Sequence, residues 1–180
     1  MKKLKKILHV QGIFYKFNIF LVNKVYVGTN PKYFEKKRKL LNKIGFNIGE
    51  NTKIVGPIYC DSKLTIGKNC WVGKNLIING NGSVLIGNNC DIAPEVSFQT
   101  GGHQIGSKHR RAGEGKSYSI IIRDGCWIGA RSTILGGVTI DNGVVVASCA
   151  CITKSIGESV LVGGVPGKVI KKLDDDKKNI

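Results

Sequence analysis

From Ile48 onward an apolar residue returns every six positions: Ile48, Ile54, Cys60, Ile66, Val72, Ile78, then Ile86, Ile92, Phe98, and after an interruption Ile122, Ile128, Ile134, Ile140, Val146 and Ile152. Glycine often follows, as in IGENTK, IGKNCW, VGKNLI, IGNNCD and IGARST. The fourth residue after each is usually small or apolar, as at Thr52, Ile58, Leu64, Cys70, Leu76, Cys90, Val96, Cys126, Ser132, Val138 and Val144. A period of six is neither the helical 3.6 nor the strand period of two. It predicts a short strand and a corner per hexad, three hexads per triangular coil, about five coils in all: a parallel β-helix. β-Branched residues suit the inward ladder because their restricted rotamers cost little on a pleated surface. Gly, Asn and Asp suit corners that need unusual backbone angles. A conventional sandwich with accidental spacing is the competing arrangement, and so many positions in phase argue against it.

Two interruptions break the pattern. INGNGSVL, residues 78–85, holds two extra residues and predicts a bulged corner. TGGHQIGSKHRRAGEGKSYSI, about residues 100–121, is long, charged and glycine-rich, and such an excursion from a regular solenoid is often functional. The ends also differ. Residues 1–45 read as a basic helical segment in two pieces, the second opening at Pro31 and closing at Gly45. The repeat is expected over 46–156, and 157–180 as a C-terminal tail with a frayed DDDKKNI end.

Composition agrees with one domain. The chain has 180 residues, 42% hydrophobic but only 7% aromatic, with 24 glycines. The interior is therefore expected to be small and aliphatic. The net charge of +16 is uneven: residues 1–45 hold many lysines and a single acid, Glu35. That excess favours an anionic partner: lipid headgroups, a polyanionic saccharide, nucleic acid or a phosphorylated cofactor. For residues 1–45 two roles follow, capping the open end of the coil stack or lying on an anionic membrane surface. No secretory signal or membrane span is read, because polar residues break every apolar run. Cys70, Cys90 and Cys126 fall at equivalent repeat positions and are expected to be buried. Cys149 and Cys151 alternate along a strand. Together the cysteines predict reduced thiols in a cytoplasmic protein.

The stretch IGNNCDIAPEVSFQTGGH, then IIIRDGCWIGARSTILGGVTIDNGVVVASCACITKSI and GGVPGKVIKKL, resembles the hexapeptide-repeat acetyltransferases, nearest their galactoside, maltose and polysaccharide O-acetyltransferase branch. The resemblance spans 48–173. It implies an all-β, left-handed parallel β-helix with an N-terminal helical segment and a short C-terminal tail. It also implies a homotrimer with each active site between adjacent prisms, acetyl-CoA as co-substrate, and a sugar, polysaccharide or lipopolysaccharide precursor as acceptor. In that family the loop histidine is the base, here His103. The cofactor groove carries over onto Trp127, Gly129, Ala130, Ala147, Thr153 and Lys154, with Lys168 and Lys171 toward the nucleotide phosphates. Acceptor contacts are expected from Asn75, Arg110 and Glu114. The chain departs from the family at Gly73, where sugar acetyltransferases often carry Asn. Backbone N–H groups near Gly129 and Ala130 are candidates for the oxyanion site.

The chemistry needs a base because a neutral hydroxyl is a weak nucleophile toward a thioester, and imidazole titrates near neutrality. Each residue also has a plainer reading: a surface histidine at 103, corner packing at Trp127, solvated charges at Lys154, Lys168 and Lys171. His109 reads as solvated or acceptor-side, and His9 as part of the basic helix. Cysteine as nucleophile competes but requires exposure that repeat-phase thiols lack. Other functions fit less well. N-acetylation of an amino-sugar nucleotide shares the same base. A zinc hydrolase needs three converging histidines, and one of the chain's three lies outside the repeat. A non-catalytic scaffold leaves the Gly-His loop unexplained. No nucleic-acid recognition motif occurs, and no metal is expected.

Overall fold

A computed structural model describes residues 12–174. His9 and the basic start therefore lie outside the described residues, as does the end of the tail. The hexads coil into a column with three flat faces. The first face stacks Asn47–Ile48, Lys63–Ile66, Ser83–Ile86, Ser119–Ile122 and Thr139–Ile140. The second stacks Lys53–Ile54, Trp71–Val72, Asp91–Ile92, Trp127–Ile128, Val145–Val146 and Val160–Gly163. The third stacks Ile58–Cys60, Leu76–Asn79, Ser97–Gln99, Thr133–Leu135 and Cys151–Ile152. All of these pairings are parallel and in register, so each phased aliphatic sits on its counterpart one coil away: Ile48 on Ile66, Ile86, Ile122 and Ile140 in turn. The phased residues are buried throughout except Cys60, which is half-buried in the first coil.

Stacking continues past the expected limit of the repeat. Ile156 bridges Ile140 in parallel, and Val160–Gly163 adds a sixth parallel rung to the second face. Lys168–Lys172 then turns back antiparallel along Val160–Gly163 and ends the sheet. The hexad spacing slips in SIGESVLVG, which hides this last coil from a period search.

Two corners are columns of left-handed backbone. One holds Asn51, Asn69, Asn89, Gly125, Gly143 and Ser159, with φ between 52° and 69°. Asparagine tolerates this conformation better than most side chains. The other holds Asn75, Glu95, Arg131 and Cys149. Cys149 thus sits at a corner rather than in a strand beside Cys151. Just inside the first corner runs a polar column. Thr52 Oγ1 donates to Gly67 O at 2.6 Å, Cys70 Sγ to Gly87 O at 3.1 Å, Cys90 Sγ to Arg123 O at 3.0 Å and Cys126 Sγ to Asp141 O at 3.0 Å. A small residue with one weak donor fills the corner and bonds a carbonyl one coil away.

The N-terminal region closes the open end of the stack. It comprises a helix over residues 12–20, a π-helical turn Leu21–Val25, and the helix Pro31–Lys43, capped by Asn30. Each face of the first coil meets a dedicated partner. Asn42 pairs with both the N–H and the carbonyl of Ile48, at 2.8 and 3.0 Å. Asn23 does the same at Ile58, at 2.9 and 2.8 Å. The Val55 carbonyl accepts from Gly28 N–H at 2.9 Å and from Lys37 Nζ at 3.0 Å. A primary amide offers both N–H donors and a carbonyl acceptor, so with one of each it pairs as one more peptide unit of the sheet. Unpaired strand edges invite intermolecular pairing, and these contacts pair edge groups on each of the three faces. Among the described residues no helix is long and apolar enough to cross a membrane.

Candidate active site

The excursion after Gln99 is an antiparallel hairpin, Gly101–Ile105 against Ala112–Ser117, which leaves the corner between the third and first faces and returns into Ser119–Ile122. Its base is pinned from inside the column. Tyr118 N–H donates to Thr100 O at 2.7 Å. The fully buried Thr100 hydroxyl donates to Asn79 O at 2.9 Å, meets Ser62 Oγ at 2.7 Å and accepts from Gly82 N–H at 3.2 Å. The Tyr118 ring rests on Gly136, where a Cβ would meet it at 2.7 Å.

His103 stands on the first hairpin strand, exposed, opposite Gly115. Its Nδ1 lies 2.8 Å from the Gly113 carbonyl. A carbonyl only accepts, so Nδ1 carries the proton in the neutral ring and Nε2 keeps its lone pair. That geometry orients an imidazole for accepting a proton at Nε2. Beside it lies an open depression of about 440 Å³, lined by Asn81, His103, Lys116, Ser117 and the backbone of Gly101, Gly102 and Gly115. Asn81 Oδ1 accepts from Ser117 Oγ at 2.5 Å. The sequence reading missed Ser62, Thr100, Asn81, Lys116, Ser117 and Tyr118. The signal available was the two-residue insertion at 78–85. It carries Asn81 outward to the hairpin, 36 residues away along the chain from Ser117.

The other expected site residues fall in separate places. Arg110 and Glu114 are exposed on the hairpin with His103. Thr153 and Lys154 follow Cys151–Ile152 on the same corner as the hairpin, two coils further along. Trp127 projects from the second face, 57% exposed. Gly129 and Ala147 directly follow successive strands of that face, with Ala130 at the next corner. Gly129 lies so close under the next coil that a Cβ would meet Val146 O at 2.5 Å. Its N–H is committed to Val146 O at 2.8 Å, which leaves the Ala130 N–H as the candidate oxyanion donor. Lys168 and Lys171 are exposed on the final antiparallel strand. Asn75 occupies the corner of the second coil between the second and third faces, in left-handed backbone. Gly73 lies against Pro94, and a Cβ there would come within 2.6 Å of the Pro94 nitrogen. A side chain at 73 therefore has no room. In a three-sided column the second face and the His103 corner point in different directions, so one copy does not bring Trp127 and His103 together.

Burial separates the thiols. The contact with Cys90 and then burial raise Cys70 well above the ordinary thiol range. Cys90, in contact with Cys126 and buried, is pushed up to about 11. These groups are protonated at neutral pH and make poor nucleophiles. Among the described residues no group of three or more His, Cys, Asp or Glu side chains could hold a metal ion.

Stacked six-residue coils of this kind define a hexapeptide-repeat protein. The family model for the bacterial transferase hexapeptide, six repeats, matches residues 119–154. Galactoside O-acetyltransferase of Escherichia coli K12 is 32% identical over 177 residues, covering 97% of this chain and 83% of the relative. A hexapeptide-repeat acetyltransferase from Vibrio cholerae, solved with acetyl coenzyme A, superposes with a TM-score of 0.77 at 23% identity, covering 93% of this chain and 89% of that one. AntD, an N-acyltransferase from Bacillus cereus solved with dTDP and 3-hydroxybutyryl-CoA, gives a TM-score of 0.65 at 20% identity, covering 76% and 88%. The chain belongs to the hexapeptide-repeat acetyltransferases and is an acyltransferase.

Proposed function

We propose that this enzyme transfers an acetyl group from acetyl-CoA to a hydroxyl of a sugar or glycan precursor, with His103 as general base. The observation that carries the reading is the Nδ1 contact to Gly113 O, which holds the ring in the tautomer with a free Nε2. Nε2 takes the acceptor hydroxyl proton as the oxygen attacks the thioester carbon. The tetrahedral intermediate is stabilised by backbone N–H donation, for which the Ala130 N–H has no partner among the described residues. The C–S bond then breaks, the imidazolium returns its proton to the CoA thiolate, and the ester and free CoA leave. Both substrates meet side by side, so no acyl-enzyme is required.

The separation of the second face from the His103 corner supports a site completed by a second copy. In a trimer the Trp127, Ala130 and Ala147 side of one prism would face the hairpin of its neighbour. The CoA nucleotide would then extend toward Lys168 and Lys171. Removing the base tests the reading. His103→Ala should fold normally, retain acetyl-CoA binding and lose about 10²–10⁴-fold in kcat. Full activity in that variant would sink the assignment.

The likeness to AntD, a mutant of which was solved with dTDP-4-amino-4,6-dideoxyglucose and coenzyme A, supports a second reading, transfer to the amine of an amino-sugar nucleotide. Matched acceptors that differ only in hydroxyl against amine, followed by thiol release, separate the two. A peripheral contact of residues 1–45 with anionic lipid, at the inner face of the cell membrane, has as its support the exposed Ile13, Phe14, Phe17 and Phe20 among lysines. Sedimentation with anionic vesicles tests it.

A further inference from the structure

Three depressions lie end to end along the corner that bears His103, and they share walls. Asn81 bounds the depression beside His103 and also the next one, of about 550 Å³, which reaches Asp61, Lys63 and Tyr15. Tyr15 and Ile44 in turn bound a third, of about 330 Å³, which ends at Phe14 and Lys43. The chain passes this corner after the first coil at Asp61, after the second at Asn81 and after the third at the hairpin. With strands ~4.8 Å apart, those three levels span ~10 Å before the N-terminal helix is added. Transfer to one hydroxyl requires only the section at His103.

The lining has a consistent chemistry. Each section carries one lysine: Lys116, then Lys63, then Lys43. All are exposed, and among the described residues none is in an ion pair. A single carboxylate, Asp61, accompanies them. Where the second and third sections meet stands Tyr15, 37% exposed and tethered by its hydroxyl, which donates to Cys60 O at 3.3 Å. A tethered, half-open ring is a ready platform for the apolar face of a sugar.

We infer that this corner is an extended acceptor groove for an acidic oligosaccharide, with the reacting ring at His103 and a remote ring on Tyr15. The placement of the reacting end rests on the role proposed for His103. Long acceptors gain affinity from the lysines and from stacking, neither of which a monosaccharide can reach in full.

The test is calorimetric titration of the full chain, without co-substrate, using oligogalacturonides of one to three rings and maltooligosaccharides of the same lengths. The acidic three-ring compound should bind about tenfold tighter than the monomer, and tighter than its neutral counterpart. Tyr15→Ala should collapse the ratio between trimer and monomer, and Tyr15→Phe should restore it. If Tyr15→Ala melts at room temperature, Lys43→Gln and Lys63→Gln carry the test. Both side chains are exposed, and each should weaken the acidic trimer several-fold. Equal affinity for all lengths, a length preference that survives Tyr15→Ala, or indifference to both lysine substitutions overturns the proposal. Because binding is read without acetyl-CoA, the two readings can fail separately. An inactive protein that still prefers the trimer loses its assigned reaction and keeps the groove. An active one with no length preference does the reverse.

Discussion

At the scale of single residues, buried polar groups decide more than their number suggests. Thr100 is the joint between column and hairpin, using its hydroxyl toward Asn79 O, Ser62 and Gly82 N–H. Thr100→Val keeps the shape and leaves Gly82 N–H unpaired, which should cost about 1–3 kcal/mol in denaturant unfolding. It should also lower kcat, because the hairpin carries His103. The thiol column makes a second forecast. Cys149, exposed at its corner, should react with a thiol reagent in the native protein, while Cys70, Cys90 and Cys126 should react only on unfolding. Mass spectrometry of labelled peptides checks it. The burial of these three cysteines was legible from their repeat phase. Their bonds to carbonyls one coil away were not, since those partners are fixed by register rather than by nearby sequence.

At the scale of elements, the N-terminal helices are a lid on the first coil. Asn42→Ala or Asn23→Ala should each destabilise by about 1–3 kcal/mol, because each strands an N–H and a carbonyl at a sheet edge. The double variant should also aggregate, which light scattering would detect. Lys37 adds a pH signature. Its amine is fully buried, bonded to Gly28 O and Val55 O, and burial pushes its pKa down to about 8. Between about pH 8 and pH 10.4 the unfolded chain holds this proton more tightly than the folded one. Its contribution to stability is therefore lowest below pH 8 and rises across that window. The thiols of Cys60 and Cys90, both raised to about 11, act in the opposite sense, since the folded state keeps protons that the unfolded chain has lost. They are common to wild type and Lys37→Met. The stability difference between those two proteins should thus shift in favour of wild type as pH rises from 8 to 10. A difference that stays flat would contradict the burial of a charged amine.

At the scale of the whole molecule, the three-sided column distributes the expected site over surfaces that one copy cannot unite. If the proposed trimer forms, two defective chains should complement each other. His103→Ala loses the base, and Ala130→Trp would block the groove on the opposite side. Mixed after dissociation and reassembly, they should recover activity that neither shows alone. No recovery would place the whole site within one chain.

The architecture was legible along the chain, because a six-residue period is a local property that every coil repeats and stacking in register is the arrangement that buries it. The break in that period marked the excursion at 100–121, and it was the resemblance to the hexapeptide-repeat acetyltransferases that singled out His103 within it. The tertiary structure alone decided what surrounds this histidine. Asn81, Lys116 and Ser117 gather there because a corner insertion and a hairpin from successive coils project on the same side. It likewise decided that Asn42, Asn23 and Lys37 finish the sheet edges. These are contacts between segments far apart along the chain, and no period records them. Their partners exist only once the column is wound and its corners fall into line.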